Sequence, residues 1–307
     1  MANSSMQAIQ IHDYGTAEQL KLETAPRPAP QAGQVLVRLM AAGVNPADWK
    51  YRSGAYKAFM PLNFPWTPGL EGAGVVEAVG PDVTQFKPGD AVFGTIMASY
   101  AQYAVAAASD LAPKPEALSF DEAASVPVGA LTAWGAVEAA NIQPGQRVFV
   151  QGAAGGVGLF ASQLARAKGA QVIGTASAVN LDFVRSLGVE AVDYDAQPFE
   201  SVVHDVDAVI DTVGGEVLQR SWQVLKPGGI LITVAGRISE AEAKAHGRRG
   251  QSAGRAPASN LTQIAALITA GKLTPAIQAT FPLSQAVAAQ QLCETGHGRG
   301  RIILHTN

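Results

Sequence analysis

The chain has 307 residues, 22 basic against 25 acidic side chains for a formal net charge of −3, and one cysteine, Cys293. A single thiol excludes a disulfide framework and clustered cysteine zinc sites, and the lack of a basic excess argues against nucleic acid as the main partner. Hydrophobic residues make up 48% and charged ones 15%, below the usual charged share of about 25%, so a well-buried globular protein of about two domains is expected.

The N-terminal stretch MANSSMQAIQIHDYG has no Lys or Arg before Lys21 and no apolar run with a small-residue cleavage site. No secretory signal is expected there, and the cytoplasm is the expected compartment. Residues 1–110 carry short alternating apolar runs, such as Gln34 to Leu39 and Gly74 to Val79, separated by PAPQAG, PLNFPWTPG and FKPGD. This punctuation predicts strands and tight turns of a β-rich domain. From Asp121 the texture changes. Helical spacing over Asp121 to Ala140 precedes a buried strand, Arg147 to Gln151, and a helix over Leu159 to Lys168. Strand-like runs at Gln171 to Gly174, Ala208 to Ile210 and Ile230 to Val234 alternate with helical patterns at Leu181 to Leu187 and Val217 to Leu225. Such alternation predicts a doubly wound parallel sheet. The polar segment Ile238 to Ala258 is expected to be a mobile loop. Helices are expected over Leu261 to Ala270 and Ser284 to Glu294, with Ser284 as N-cap, and RIILH closes the chain as a strand. No run reaches the roughly 18 apolar residues of a membrane span, since Val148 to Ala165 is interrupted by Gln151, Gln163 and four glycines.

The strongest chemical signal is VFVQGAAGGVGLFASQLARAKGA, Val148 to Ala170. A buried strand runs straight into a glycine-rich turn and a helix, the context that makes a glycine pattern a dinucleotide site. Ala153, Gly155 and Gly158 occupy the three GxGxxG positions, Ala153 replacing the first glycine. Gly155 and its neighbour Gly156 would let the backbone approach a pyrophosphate, Gly158 would let helix and strand pack closely, and the helix beginning near Val157 would offer its amides and positive dipole end. An unliganded tight turn is the alternative. The next strand is followed by Thr175, Ala176 and Ser177, and no carboxylate appears before Asp182. A carboxylate would bind the ribose 2′-hydroxyl of NAD and repel a 2′-phosphate, whereas a hydroxyl can donate to that phosphate, so NADPH is the expected cofactor.

Several segments together, AAGVNPADWKYRSGAY, TPGLEGAGVVEAVG, KPGDAVFG, GALTAWGAV, QPGQRVFVQGAAGGVG, DTVGG, LKPGGILITVAG and GRGRIIL, resemble the medium-chain dehydrogenase/reductase superfamily, and within it the zinc-free quinone oxidoreductase group. The resemblance implies an α/β fold with a GroES-like β-rich catalytic domain (1–120), a Rossmann domain (121–257) and a C-terminal segment returning to the first domain (258–307). Zinc-dependent members hold their metal at the positions matched here by Asn45 and Leu70. Leu70 has no donor atom and an amide is a poor zinc ligand, so no metal is expected. Acceptors that delocalise charge, quinones or α,β-unsaturated carbonyls, suit such a site.

The resemblance also implies roles for single residues. Asn45 would lie near the nicotinamide, although it also suits a turn before Pro46, and Asp48 would anchor that turn. Tyr56 matches the tyrosine of 2-enoyl thioester reductases and is the candidate proton donor, or else an ordinary loop aromatic. Tyr51, Arg52 and Trp66 are its neighbours. Thr132 would contact the nicotinamide side of the cofactor. Ser177, Asn180 and Tyr194 match the 2′-phosphate neighbourhood, with Val179 where relatives place a basic residue. Val213, Gly214, Ala235 and Gly236 would line the cofactor through backbone groups, and Arg301 would approach its phosphates or form a solvated charge. Cys293 reads as a packing thiol, and the five scattered histidines have no metal-binding spacing. The expected activity is NADPH-dependent hydride transfer to a quinone or enone by a homodimer with no nucleic-acid or membrane partner. A 2-enoyl thioester reductase and a non-catalytic NADPH-binding sensor or partner protein are the alternatives.

Overall fold

The computed structural model describes residues 5–307, so the first four residues of the stretch read for a signal lie outside it. Two sheets organise the molecule. The first half begins with a hairpin of β1 (Ser5–Gln10) and β2 (Lys21–Pro26). It continues through β3 (Gln34–Val44), helix α1 (Pro46–Arg52), β4 (Gly72–Val79), β5 (Ala91–Gly94), β6 (Tyr103–Ala107) and β7 (Leu111–Pro113). Helices α2 (Phe120–Ala124) and α3 (Pro127–Ala139) lead to a run of parallel strands and helices: β8 (Arg147–Gln151), α4 (Gly158–Ala167), β9 (Gln171–Ala176), α5 (Leu181–Ser186) and β10 (Glu190–Asp193). It carries on with β11 (Val206–Asp211), α6 (Gly215–Arg220), β12 (Leu225–Thr233), α7 (Glu240–Ala245) and β13 (Arg249–Ser252). The chain ends with α8 (Leu261–Thr269), β14 (Ile277–Pro282), α9 (Ala286–Glu294) and β15 (Arg301–His305).

The second sheet is all parallel in the order β10-β9-β8-β11-β12-β13. Counted from β8 this is 3-2-1-4-5-6, the doubly wound order whose switch point, between β8 and β11, opens a crevice at the strand carboxyl ends. The first sheet runs β14-β15-β3-β4-β5-β7, with β6 also paired to β3. There β15 lies antiparallel to β3 with Ile303 opposite Gly43, and parallel to β14. The last strand thus closes the sheet that the first hundred residues began. One continuous apolar core joins both halves: Ala41, Ala73 and Phe93 of the first sheet and Ile303 of β15 cluster with Leu131 of α3 and with Val148, Val150 and Ile210 of the second.

Four expectations need correction. The single helical pattern from Asp121 is two helices. Ser119 caps α2 by accepting from the Glu122 amide at 3.1 Å, and the chain restarts at Pro127, which suits a first helical position because it has no N–H to satisfy. The pattern at Val217 to Leu225 is helical only to Arg220, and Leu225 already belongs to β12. Ile238 to Ala258 is not an irregular loop. Ser239 caps α7 (accepting from Glu242 N at 3.1 Å), and β13 pairs with Ile230 to Thr233 as the sheet's edge strand. Its residues are exposed or half-exposed, so no apolar alternation marks it. Ser284 lies within a short turn, and Gln285 takes the cap position of α9. Strand β14 went unread because its residues are half-buried or exposed.

The turn after β8 depends on close backbone approach. A Cβ on Gly158 would lie 2.1 Å from the carbonyl oxygen of Gly152, and both atoms are fixed to backbone. Replacing Gly158 with Ala should therefore lower unfolding free energy by about 1–3 kcal/mol, as overpacking does. The control is Gly254→Ala, where nothing lies within 4 Å of the added carbon. Equal denaturation midpoints for the two variants would contradict this account.

Candidate active site: a dinucleotide turn beside a buried polar clasp

The glycine turn is built by its neighbours. Gly152 has φ +69°, in the left-handed region where L side chains are strained, and its N–H donates to Thr175 Oγ1 at 2.9 Å. Gly152, not Ala153, thus makes the turn that the first glycine of the motif makes. Ala153 is buried and its N–H donates to Thr175 O at 2.9 Å. Its methyl is accommodated because β9 has Gly174 opposite, where a Cβ would come within 2.4 Å of it. A Cβ on Gly155 would meet only Gly152 O, at 3.3 Å, so the outer side of this turn is open. Val157 is the N-cap of α4 and Gly158 its first residue, and the first amides of a helix have no intrahelical acceptor. Leu159 N donates to Gly155 O at 3.0 Å and Phe160 N to Val157 O at 3.1 Å, so it is the open glycine surface and the positive dipole end of the helix that fit a pyrophosphate.

Gly156 faces a different way. A Cβ there would strike Arg301 Cδ at 2.7 Å, and Gly155 forms a parallel bridge with Gly300, whose N–H donates to Ala154 O at 2.8 Å. The turn is therefore held from behind by the residues that begin β15. Gly129 of α3 completes the enclosure: a Cβ there would lie 2.5 Å from Gly156 O.

At the carboxyl end of β9, Ser177, Asn180 and Tyr194 come together. Asn180 Nδ2 donates to Ser177 Oγ at 3.1 Å, and Tyr194 N donates to Ala176 O at 3.3 Å. Because the Ser177 oxygen accepts from Asn180, its own O–H remains to donate outward. Asp182, the first carboxylate after β9, is paired with Arg185 at 2.8 Å. Val179 is 88% exposed beside this group.

The DTVGG and TVAG turns are tied by Asp211, fully buried at the end of β11. Its Oδ1 accepts from Val213 N (3.0 Å) and Gly214 N (2.9 Å), while Oδ2 accepts from Thr233 Oγ1 at 2.6 Å. Thr233 Oγ1 accepts in turn from Ala235 N at 3.2 Å. The amides of Val213, Gly214 and Ala235 are thus committed inside the protein and Gly214 O accepts from Leu218 N at 3.3 Å, which leaves the carbonyls of Val213 and Ala235 and the Gly236 backbone for a ligand. Thr132 is half-buried on α3.

On the other side lies a buried polar clasp. Asn45, at the N-cap of α1, donates from Nδ2 to Glu71 Oε1 at 2.8 Å and accepts at Oδ1 from Arg301 Nη2 at 2.6 Å. Arg301 Nη2 also donates to Glu71 Oε1, and Glu71 Oε2 accepts from Val128 N at 2.6 Å. Arg301 is 5% exposed and Glu71 fully buried. Arg301 is therefore no solvated charge: its guanidinium lies beside the glycine turn but is engaged by Asn45 and Glu71. Asn45 spends both ends of its amide in the same clasp. Glu71 belongs to this site without being among the expected residues; its one signal in the sequence is a charged side chain within the glycine-rich GLEGAG. Leu70 is buried beside it.

Asp48 caps the same corner, accepting from Asn45 N at 2.8 Å and from Tyr100 OH at 3.0 Å through Oδ2, with no partner for Oδ1. Burial pushes its carboxyl up to about 7, with Glu71 adding in the same direction against the two hydrogen bonds and Arg301. Tyr56 and Tyr51 meet edge to face at 5.2 Å, Tyr51 tilts on Trp66 at 6.0 Å, and Tyr56 on Phe59 at 5.4 Å. Arg52 points away from this cluster, to Gln290, Glu294 and Gly15 O. Cys293 is half-buried, and burial pushes its thiol up to about 11, consistent with an inert packing group.

The Asp48 value sets a sign for pH dependence. A carboxyl raised from 3.8 to about 7 keeps in the folded state a proton that the unfolded chain releases. Stability from this group is fully present below about pH 4 and falls as pH rises towards 7. Asp48→Asn, which has no proton to lose, should flatten that slope and gain stability relative to the parent at pH 8. Urea unfolding at pH 5 and pH 8 checks it; an unchanged pH slope would refute the assignment.

Residues 31–116 match the alcohol dehydrogenase GroES-like domain and residues 187–304 the zinc-binding dehydrogenase family. The chain is 35% identical to a quinone oxidoreductase of Mus musculus over 97% of both chains. It is 34% identical to the 2-methylene-furan-3-one reductase of Solanum lycopersicum over 98% of this chain and 79% of that one. The structure of the quinone oxidoreductase from Coxiella burnetii superposes with a TM-score of 0.89 at 34% identity, covering 99% of this chain and all of the other. With a GroES-like part, a doubly wound sheet and full-length relatives of this kind, the protein belongs to the medium-chain dehydrogenase/reductase superfamily of nicotinamide-dependent oxidoreductases.

Proposed function

We propose that the protein is an NADPH-dependent, zinc-independent reductase whose acceptors are quinones or α,β-unsaturated carbonyls. The observation that carries the reading is the clasp: at the two positions where zinc-dependent members place ligands stand Asn45, its amide fully hydrogen-bonded, and Leu70. Among the described residues no three His, Cys, Asp or Glu side chains come together as a metal site. The matched zinc-binding dehydrogenase segment, residues 187–304, contains neither position. The names of the mouse and tomato relatives fit acceptors of both kinds.

Bound NADPH would supply a hydride to one end of the conjugated system, and a proton taken up at the other end would complete the reduction. The chain's share is to position and to exclude water. The open side of Gly155 and the N-terminal end of α4 would seat the pyrophosphate, and Ser177 with Asn180 and Tyr194 the 2′-phosphate. Thr132, the carbonyls of Val213 and Ala235, and the backbone at Gly214 and Gly236 would border the nicotinamide. Tyr56, in the ring group with Tyr51 and Phe59, would hold the proton, and on that ground an enoyl thioester is the second acceptor class. In this reading residues 1–120 and 258–307 form the acceptor side and 121–257 the cofactor side. The low charge fraction and the family support a homodimer acting on small molecules.

Oxidation of NADPH at 340 nm with a panel of quinones, enones and an enoyl thioester tests the proposal. The expected result is turnover with at least one class and a higher kcat/KM with NADPH than with NADH. No oxidation above background with any acceptor would overturn it. A cation near the 2′-phosphate should sharpen cofactor choice: Val179→Arg is expected to lower the KM for NADPH about three- to tenfold while leaving that for NADH unchanged.

A further inference from the structure

The glycine turn is also held by a run of hydrogen bonds through buried side chains, all of them donated in the same sense. Gly152 N donates to Thr175 Oγ1 at 2.9 Å, and the Thr175 hydroxyl donates to Gln151 Oε1 at 2.8 Å. Gln151 Nε2 donates to Ser221 Oγ at 3.3 Å, and the Ser221 hydroxyl donates to Val217 O at 2.8 Å. Gln151, Thr175 and Ser221 are each at most 2% exposed, so bulk solvent does not compete for these groups. Each hydroxyl accepts one hydrogen and gives one, and both ends of the Gln151 amide are used.

The run joins two turns that lie far apart in the sequence. At one end Thr175 takes two successive amides of the glycine turn, Gly152 N on its hydroxyl and Ala153 N on its carbonyl, each at 2.9 Å. At the other end Val217 belongs to α6, which starts at Gly215 in DTVGG. Between them the Gln151 carbonyl accepts from Thr212 Oγ1 at 2.8 Å. A Cβ on Gly152 would lie 2.9 Å from that same Thr212 oxygen and 3.2 Å from Val213 Cγ2, so the two turns pack directly on each other. Packing alone lets one surface slide along another, whereas hydrogen bonds weaken steeply with angle and distance and so fix the spacing.

We infer that Thr175, Gln151 and Ser221 are positioning residues that act as one unit, fixing the glycine turn relative to the DTVGG turn and thereby the affinity for the dinucleotide. They act through the two turns and not by touching the cofactor. When one link is removed the next loses its partner and the Gln151 amide is free to turn. The two ends of the run therefore depend on each other although Gln151 stands between Thr175 and Ser221. The inference rests on the cofactor side of the reductase reading and deepens it.

The test is a set of calorimetric titrations with NADPH and with NADH on the parent protein, Thr175→Val, Thr175→Ser, Ser221→Ala and the double variant Thr175→Val/Ser221→Ala. Thr175→Val keeps the shape of the side chain and loses the hydroxyl, and should raise both dissociation constants about five- to tenfold. Thr175→Ser should return them to within about twofold of the parent. Ser221→Ala should raise both about three- to tenfold, and the double variant should bind no more than about twofold more weakly than Thr175→Val, because linked sites are not additive. Multiplied effects in the double variant, an effect of Thr175→Val with none of Ser221→Ala, or a Thr175→Ser variant as weak as Thr175→Val would each overturn the inference. Parent affinities in folded variants, with only the unfolding midpoint lowered, would reduce the three residues to a structural role and overturn it while the reductase reading stands. Should Thr175→Val fail to fold, Gln151→Met takes its place in the same cycle. Failure of the parent protein to bind either nucleotide would overturn the cofactor reading and the inference with it.

Discussion

Glu71 is a fully buried carboxylate, and the arrangement of both sheets around the cleft depends on how its two oxygens are satisfied. One meets the Asn45 amide and Arg301, and the other meets the Val128 amide where α3 begins. Three distant segments, the end of β3, the start of α3 and the start of β15, are thereby fixed to one point. Removing one partner of such a buried pair costs about 3–5 kcal/mol, mostly because the other charge is stranded. The clasp explains local sequence as well. Gly43 must lack a side chain because a Cβ would come within 2.4 Å of Glu71 Oε1.

A second buried carboxylate plays the corresponding part on the cofactor side. Asp211 draws the DTVGG turn and the end of β12 together through three hydrogen bonds, so both turns are held by one side chain beneath them. The glycine turn between these two centres shows compensation across strands: Ala153 stands where the motif has glycine, and Gly174 on β9 yields the space. The shape of this turn is thus a property of two adjacent strands and not of the motif alone.

Much of this was legible in residue order. Strands β8, β9, β11 and β12 carry long apolar runs because both faces of a parallel sheet are covered, and the strand–turn–helix around Gly155 announces itself by local pattern. Strands β13 and β14 do not, since an edge strand with exposed side chains has the composition of a loop. The clustering of Ser177, Asn180 and Tyr194 could be placed through family motifs. The engagement of Arg301 with Asn45 and Glu71 could not, because it joins residues from opposite ends of the chain through hydrogen bonds that leave no periodicity.

The bridge between Gly155 and Gly300 bears on how the molecule is assembled. Contacts between residues so far apart along the chain form slowly, because a large loop must close before they repay its entropy. The parallel strands around β8 can pair as soon as they emerge during synthesis, but the back of the glycine turn stays unsupported until residue 300 has been made and docked. The buttressed glycine turn is therefore among the last features to be completed. Nicotinamide nucleotide binding should appear only after the two halves have joined, which makes it a reporter of the finished fold and not of its early nucleus.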